Sequence, residues 1–120
     1  MALLITPKML AAGYEFLRTT PPFRGWGLPH ADAIEFRVTK ALGEHGHYNR
    51  FIGTDEHWIA MSEKCNGHPA TLMMFLAHEV IHLHQALKKL ETKGATHNAD
   101  FHRRARAVCK AHGLDYKLFV

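Results

Sequence analysis

Between Pro69 and Gly94 no residue interrupts a helical pattern, and this long stretch constrains the chain more than any other. Leu72, Leu76, Val80, Leu83, Leu87 and Leu90 recur at steps of three and four, which draws a single apolar stripe down a helix. Asn66-Gly67-His68-Pro69 is turn chemistry ending in a residue suited to a first helical turn. Gly94 suits the position just past the last turn, and Lys88, Lys89 and Lys93 suit the negative end of the helix dipole. A helix of this length must bury its stripe on something. The face opposite the stripe carries His78 and His82 beside the apolar Met74 and Ile81, where a purely structural helix has no reason to prefer histidine.

The material to bury the stripe comes from either side. Thr6-Pro7 reads as an N-cap followed by proline at the first helical position, with Leu10, Tyr14 and Leu17 at helical spacing up to a stop near Thr19, before Pro21-Pro22. Residues 20–31 are a loop by their Pro and Gly content, and its aromatics, Phe23 and Trp26, are expected to tuck into the edge of the core. Three stretches then have strand character: 34–39, which alternates apolar and polar, 46–52, and 57–62 after the turn-like Gly53-Thr54-Asp55-Glu56. Their short connections predict a three-stranded antiparallel meander. A last helix is expected from about Ala95 to His112, with Gly113 as its stop. His97, Phe101, Ala105, Val108 and Ala111 form its apolar face, and Arg103, Arg106 and Lys110 lie on its outer side. The tail 115–120 has no clear placement. The expected fold is α+β, one domain over residues 1–120: a three-stranded antiparallel sheet packed on the long helix, with N- and C-terminal helices.

Composition narrows the function classes. No apolar run approaches the roughly 20 residues of a membrane span, and the N-terminus lacks a charged leader, so the expectation is a cytoplasmic protein with no membrane partner. Cys65 and Cys109 form no C-x-x-C pair and are expected to be half-buried thiols, neither zinc ribbon nor disulfide framework. A net charge of +4 permits a polyanionic partner without demanding one.

The chemistry is concentrated at His78-Glu79-Val80-Ile81-His82. Two histidines four apart on a helix lie one turn above each other and can face a single cation. Glu79 is turned about a quarter revolution away, close enough to act on a water at that cation, so the residues form H-E-x-x-H, two ligands and a general base. With 11 histidines in the chain the pattern can arise by chance, so the setting has to support it. A catalytic zinc site takes three protein ligands and an open position. Glu91, His97, Asp100 and His102 are the candidates for the third. His97 is preferred because the apolar face of its helix aims it inward, and a turn near Gly94 can fold that helix back. Asp100, one turn on, can orient the His97 ring or cap the helix. His84 points to another face; it and His30, His45, His47, His57, His68, His102 and His112 are expected at the surface or in caps.

Three segments together resemble the SprT-like (Spartan-type) zinc metallopeptidases: Trp58-Ile-Ala-Met-Ser62, then Leu76-Ala-His-Glu-Val-Ile-His-Leu-His84, and after a gap His97-Asn-Ala-Asp-Phe101. The last is similar to that family's His-Gly-x-x-Phe element, whose histidine is the third zinc ligand, with Asn98 where the family usually has glycine. The resemblance spans about residues 34–112. It implies a zincin-like minimal catalytic domain without the zinc ribbon or DNA-binding extensions of larger members.

It further implies one Zn²⁺ per chain held by His78, His82 and His97, Glu79 as catalytic base, and a protein or peptide as substrate. The strand at 57–62 is the expected edge for an extended peptide. Tyr48, Tyr116 and the other histidines are open as oxyanion donors. The alternatives are a zinc-binding module without proteolysis, or a nucleic-acid-associated one using the basic face of the last helix for DNA.

Overall fold

The computed structural model describes residues 5–50 and 56–120. Four helices and a three-stranded mixed sheet form an α+β fold: α1 Pro7–Arg18, β1 Ile34–Thr39, β2 Gly46–Arg50, β3 His57–Ser62, α2 Pro69–Leu87, α3 Ala99–His112 and α4 Tyr116–Phe119. Phe51 and Ile52, the expected end of the second strand, the turn at 53–55 and the extreme N-terminus 1–4 lie outside the described residues. Among the described residues no helix is long and apolar enough to cross a membrane.

The first helix forms as its sequence directs. The Thr6 hydroxyl accepts from the Met9 amide, which satisfies one of the orphan donors of the first turn, and Leu10, Tyr14 and Leu17 form the buried face. The following loop inserts Phe23, fully buried, with Trp26 edge-on to it at 4.7 Å, as its composition suggests. Cys65 is half-buried and Cys109 buried, and both are free thiols.

The sheet is not the expected antiparallel meander. Its order is β1-β3-β2, with β1 parallel and β2 antiparallel to β3. Thr39 pairs with Ser62 and Gly46 with Met61, so residues 40–45 hop across the C-terminal end of β3. The gap is two strand spacings, roughly 10 Å, which such a segment spans as readily as it makes a neighbour turn. Connection length therefore does not separate the two topologies. Side chains at the end of β3 and just beyond it do: Ser62 Oγ donates to the Ala41 carbonyl, and Asn66 Nδ2 donates to the His45 and Ser62 carbonyls at 2.8 and 2.7 Å. Gly46 marks the entry to β2, where a Cβ would lie 2.6 Å from the Ala60 carbonyl oxygen.

The outcome is that β3 is central and buried along most of its length, while β2 is an edge. α2 lays Leu72, Leu76, Val80 and Leu83 into the core among Ile59, Met61, α1 and α3. It ends at Leu87, short of the expected Gly94. Lys89 takes a left-handed backbone (φ 56°), its amide bonds Ala86 O, and the Leu90 amide returns to Gln85 O at 2.8 Å. This is a Schellman ending with lysine where glycine is usual. Gly94 (φ 82°) instead serves the tight turn Thr92–Ala95, closed by an Ala95 N to Thr92 O bond of 3.1 Å. Both uses require positive φ, so the glycine alone cannot tell them apart. α3 likewise starts later than expected, at Ala99, because Asn98 is its N-cap.

Candidate metal centre

The helical repeat of α2 brings the His78 and His82 rings to a centroid separation of 5.1 Å. His97 arrives from the loop after α2, one residue before the α3 cap, and places its ring 5.0 Å from His78 and 5.3 Å from His82. One ligand nitrogen from each lies within 4.8 Å of the others, and this is the only such cluster of His, Cys, Asp or Glu among the described residues. His97 was expected on the helix itself. It lies outside it, and its direction comes from the loop and from Phe101, on whose ring it stacks at 4.1 Å and 6°. Phe101, fully buried, also meets His82 at 4.8 Å and His78 at 5.0 Å, so one aromatic ring backs all three imidazoles.

Hydrogen bonding and burial leave imidazole lone pairs available to a cation. His78 Nδ1 lies 2.8 Å from the Phe119 carbonyl oxygen. A carbonyl only accepts, so Nδ1 carries the proton and Nε2 keeps its lone pair for a cation, the usual way an outer partner fixes a ligand tautomer. Burial pulls the His78 pKa down to about 4, against the Phe119 bond and with help from His97. Burial, with His78 and His97 nearby, pulls His82 down to about 3. Burial and His102 lower His97. Burial therefore favours the neutral form in all three rings, the form that can ligate a metal. Three imidazoles on one side of an open cleft can hold a transition-metal ion.

Glu79 is 6% exposed and lines the same cleft. Burial pushes its pKa up to about 8, opposed by a backbone hydrogen bond from Tyr48 and reinforced by Glu44. The cleft holds about 610 Å³ and is lined on one side by Gly46, His47 and Tyr48 of β2 and on the other by Glu91, Thr92 and residues 94–97. No residue of the 20–31 loop lines it. The strand beside the centre is thus the edge strand β2; the strand expected in that role, at 57–62, is central and paired on both sides.

Of the other third-ligand candidates, Glu91 lines the cleft, while Asp100 and His102 do not. Asp100 makes no hydrogen bond to the His97 ring among the described residues. Its carboxylate accepts from Gln85, Arg103 and Arg104 at 3.0, 2.6 and 2.9 Å. Two histidines expected at the surface are inside. His84 is 4% exposed against the Trp26 ring at 4.7 Å, with neither ring nitrogen hydrogen-bonded. His57 is buried beside the Tyr48 hydroxyl at 2.6 Å. His102 meets the Tyr116 hydroxyl at 2.5 Å. The basic face of α3 is partly engaged within the fold: Arg103 and Arg104 pair with Asp100, Arg104 covers Trp26, and Arg106 lies over Tyr116.

Three further contributors are not among the site residues that the sequence singles out. The Phe119 carbonyl is invisible to a reading of side-chain types. Gln85 carried no signal beyond its place one turn after His82. Asn98 did carry one, since asparagine before a helical pattern is a cap signal. No family model matches the sequence, and no curated protein matches it either.

Proposed function

We propose that this chain is a zinc-dependent peptidase of the SprT-like type, a minimal zincin-like domain acting on protein or peptide substrates. The observation that carries the reading is the convergence of His78, His82 and His97 at the wall of an open cleft, with the Glu79 carboxyl beside them. A zinc ion held by the three imidazoles would acidify a water and polarise a peptide carbonyl. Glu79 takes a proton from the attacking water and hands it to the departing amine. In the metal-free chain burial raises the pKa of the Glu79 carboxyl, and a cation at the three imidazoles would favour its ionised form, the form that accepts a proton. The peptide lies extended along the outer edge of β2, the one turned away from β3, through main-chain hydrogen bonds, which place its carbonyl at the histidines.

The test is Glu79→Gln. Peptide or casein hydrolysis should fall by about 10²-fold or more. Zinc content should remain one per chain and the circular dichroism should not change. Hydrolysis at the parent rate in the variant overturns the reading, as does a parent protein purified without metal that takes up none on titration.

A further inference from the structure

Two of the three imidazoles are held by a helix. The third is not, and something else must hold it. Residues 91–96 are exposed, His97 itself is half-buried, and its ring is stacked but makes no hydrogen bond among the described residues. The neighbouring Asn98 has a different character. Its Oδ1 accepts from the Phe101 amide and from Gln85 Nε2, both at 2.9 Å. Its Nδ2 donates to the Leu90 carbonyl and to Thr92 Oγ1, both at 2.9 Å. All four hydrogen-bonding positions of the amide are filled. The orientation is forced, since the Phe101 amide can only donate and the Leu90 carbonyl can only accept.

These four partners belong to different parts of the fold. Phe101 is in the first turn of α3, Gln85 is a 2% exposed residue of α2 one turn past His82, Leu90 follows the end of α2, and Thr92 opens the tight turn. We propose that Asn98 is the positioning residue for the third metal ligand: its amide ties the 88–97 loop to both helices and so sets His97 against the α2 histidine pair. This rests on the reading of the three histidines as a metal centre. A cap alone needs only the bond to Phe101 and any of Ser, Thr, Asp or Asn. The two Nδ2 bonds are what asparagine adds, and they go to the loop.

The discriminating variants are Asn98→Asp and Asn98→Ser. Each keeps an oxygen for the Phe101 amide, so α3 stays capped. The first turns a carboxylate oxygen on the Leu90 carbonyl, and the second is too short to reach it. In both, zinc affinity by chelator competition should fall about 10- to 100-fold, the range for outer-sphere partners of a ligand. Helical circular dichroism should hold. In a His97→Ala background neither substitution should change zinc affinity further, because the residue acts only through that ring. In the metal-free protein, amide exchange should accelerate over 90–97 and nowhere else. Zinc affinity within twofold of the parent in both variants overturns the proposal, as does an equal loss in the His97→Ala background. Should the parent bind no zinc, the metal reading falls by itself. The metal-free exchange experiment then decides: acceleration confined to 90–97 upholds the tether, and unchanged exchange there overturns it.

Discussion

The three histidines reach one point by two different physical routes. His78 and His82 ride on α2, whose repeat fixes their separation, whose core face is locked by Leu76, Val80 and Leu83, and whose first imidazole is further held by the Phe119 carbonyl. His97 stands in a connection with exposed residues before it, held by one stacked ring and by its neighbour's side-chain amide. The first arrangement needs only a helix that folds. The second needs a particular set of polar contacts, each worth about 0.5–1.5 kcal/mol and each dependent on the others being made. A rigid pair and an adjustable third imidazole is a division that substitutions can expose.

The largest expected effect is loss of a ligand. His82→Ala and His97→Ala should each weaken zinc binding by more than the about 100-fold typical of losing an outer partner. They should differ in what survives. Both changes uncover part of the Phe101 ring, but in His82→Ala the loss falls within α2, between the fully buried Ile81 and Leu83, whereas in His97→Ala it falls in the loop before α3. Thermal unfolding of the two metal-free variants measures this. Equal destabilisation would erase the contrast drawn above, and unchanged zinc affinity in His97→Ala would remove that residue from the ligand set.

Next is Phe119→Ala. Its ring is fully buried and packs 5.5 Å from the His78 ring. Emptying such a site costs about 3–5 kcal/mol, readable by urea unfolding. Detachment of α4 should also release the carbonyl from His78 and lower zinc affinity. A stability loss with unchanged zinc affinity would show that α2 alone fixes that ring.

Asp100 supplies a pH-dependent part of the tether. Burial works to raise its pKa, but hydrogen bonds from Gln85, Arg104 and Arg103 outweigh it and hold the carboxyl down to about 2. A carboxylate whose pKa is lower folded than unfolded contributes stability above its unfolded value, near 3.8, and that contribution fades as pH falls toward 2. Its size is on the order of 1–2 kcal/mol. Asp100→Asn should therefore flatten the loss of stability between about pH 4 and pH 2, followed by urea unfolding across that range. An unchanged acid profile would show that the Gln85 contact does not depend on the charge.

The same division explains what the sequence made legible. Periodicity along 72–87 and the spacing of His78 and His82 are properties of one element, so they can be read before any tertiary contact is known. The cap at Thr6, the stop at Gly113 and the buried face of α1 are local in the same sense. Strand order is not local. It depends on Ser62 and Asn66 catching the 40–45 segment, a contact between parts of the chain that no alternation encodes. The end of α2 also lay hidden, because lysine at a left-handed position carries no signal, and Gly94 offered a more conventional stop a few residues on. His97 does join the cluster, but not through the helix face that singles it out in the sequence, since α3 begins only at Ala99.

Lys89 gives the smallest effect and acts where the two regions meet. Its φ of 56° is one that a side chain with a Cβ disfavours, and the Schellman bonds from Lys89 and Leu90 to Ala86 and Gln85 hold it there. Lys89→Gly relieves that strain but gives the unfolded chain more freedom, and at such a position the first effect wins. The variant should be more stable by about 0.5–1 kcal/mol, measured by urea unfolding at matched slopes. Zinc affinity should not move, because the Leu90 carbonyl that receives Asn98 is already fixed by the Leu90 amide bond to Gln85. If the glycine variant instead binds zinc more weakly, the strained lysine helps to aim the loop. The adjustable part of the centre would then begin at the last turn of α2 rather than beyond it.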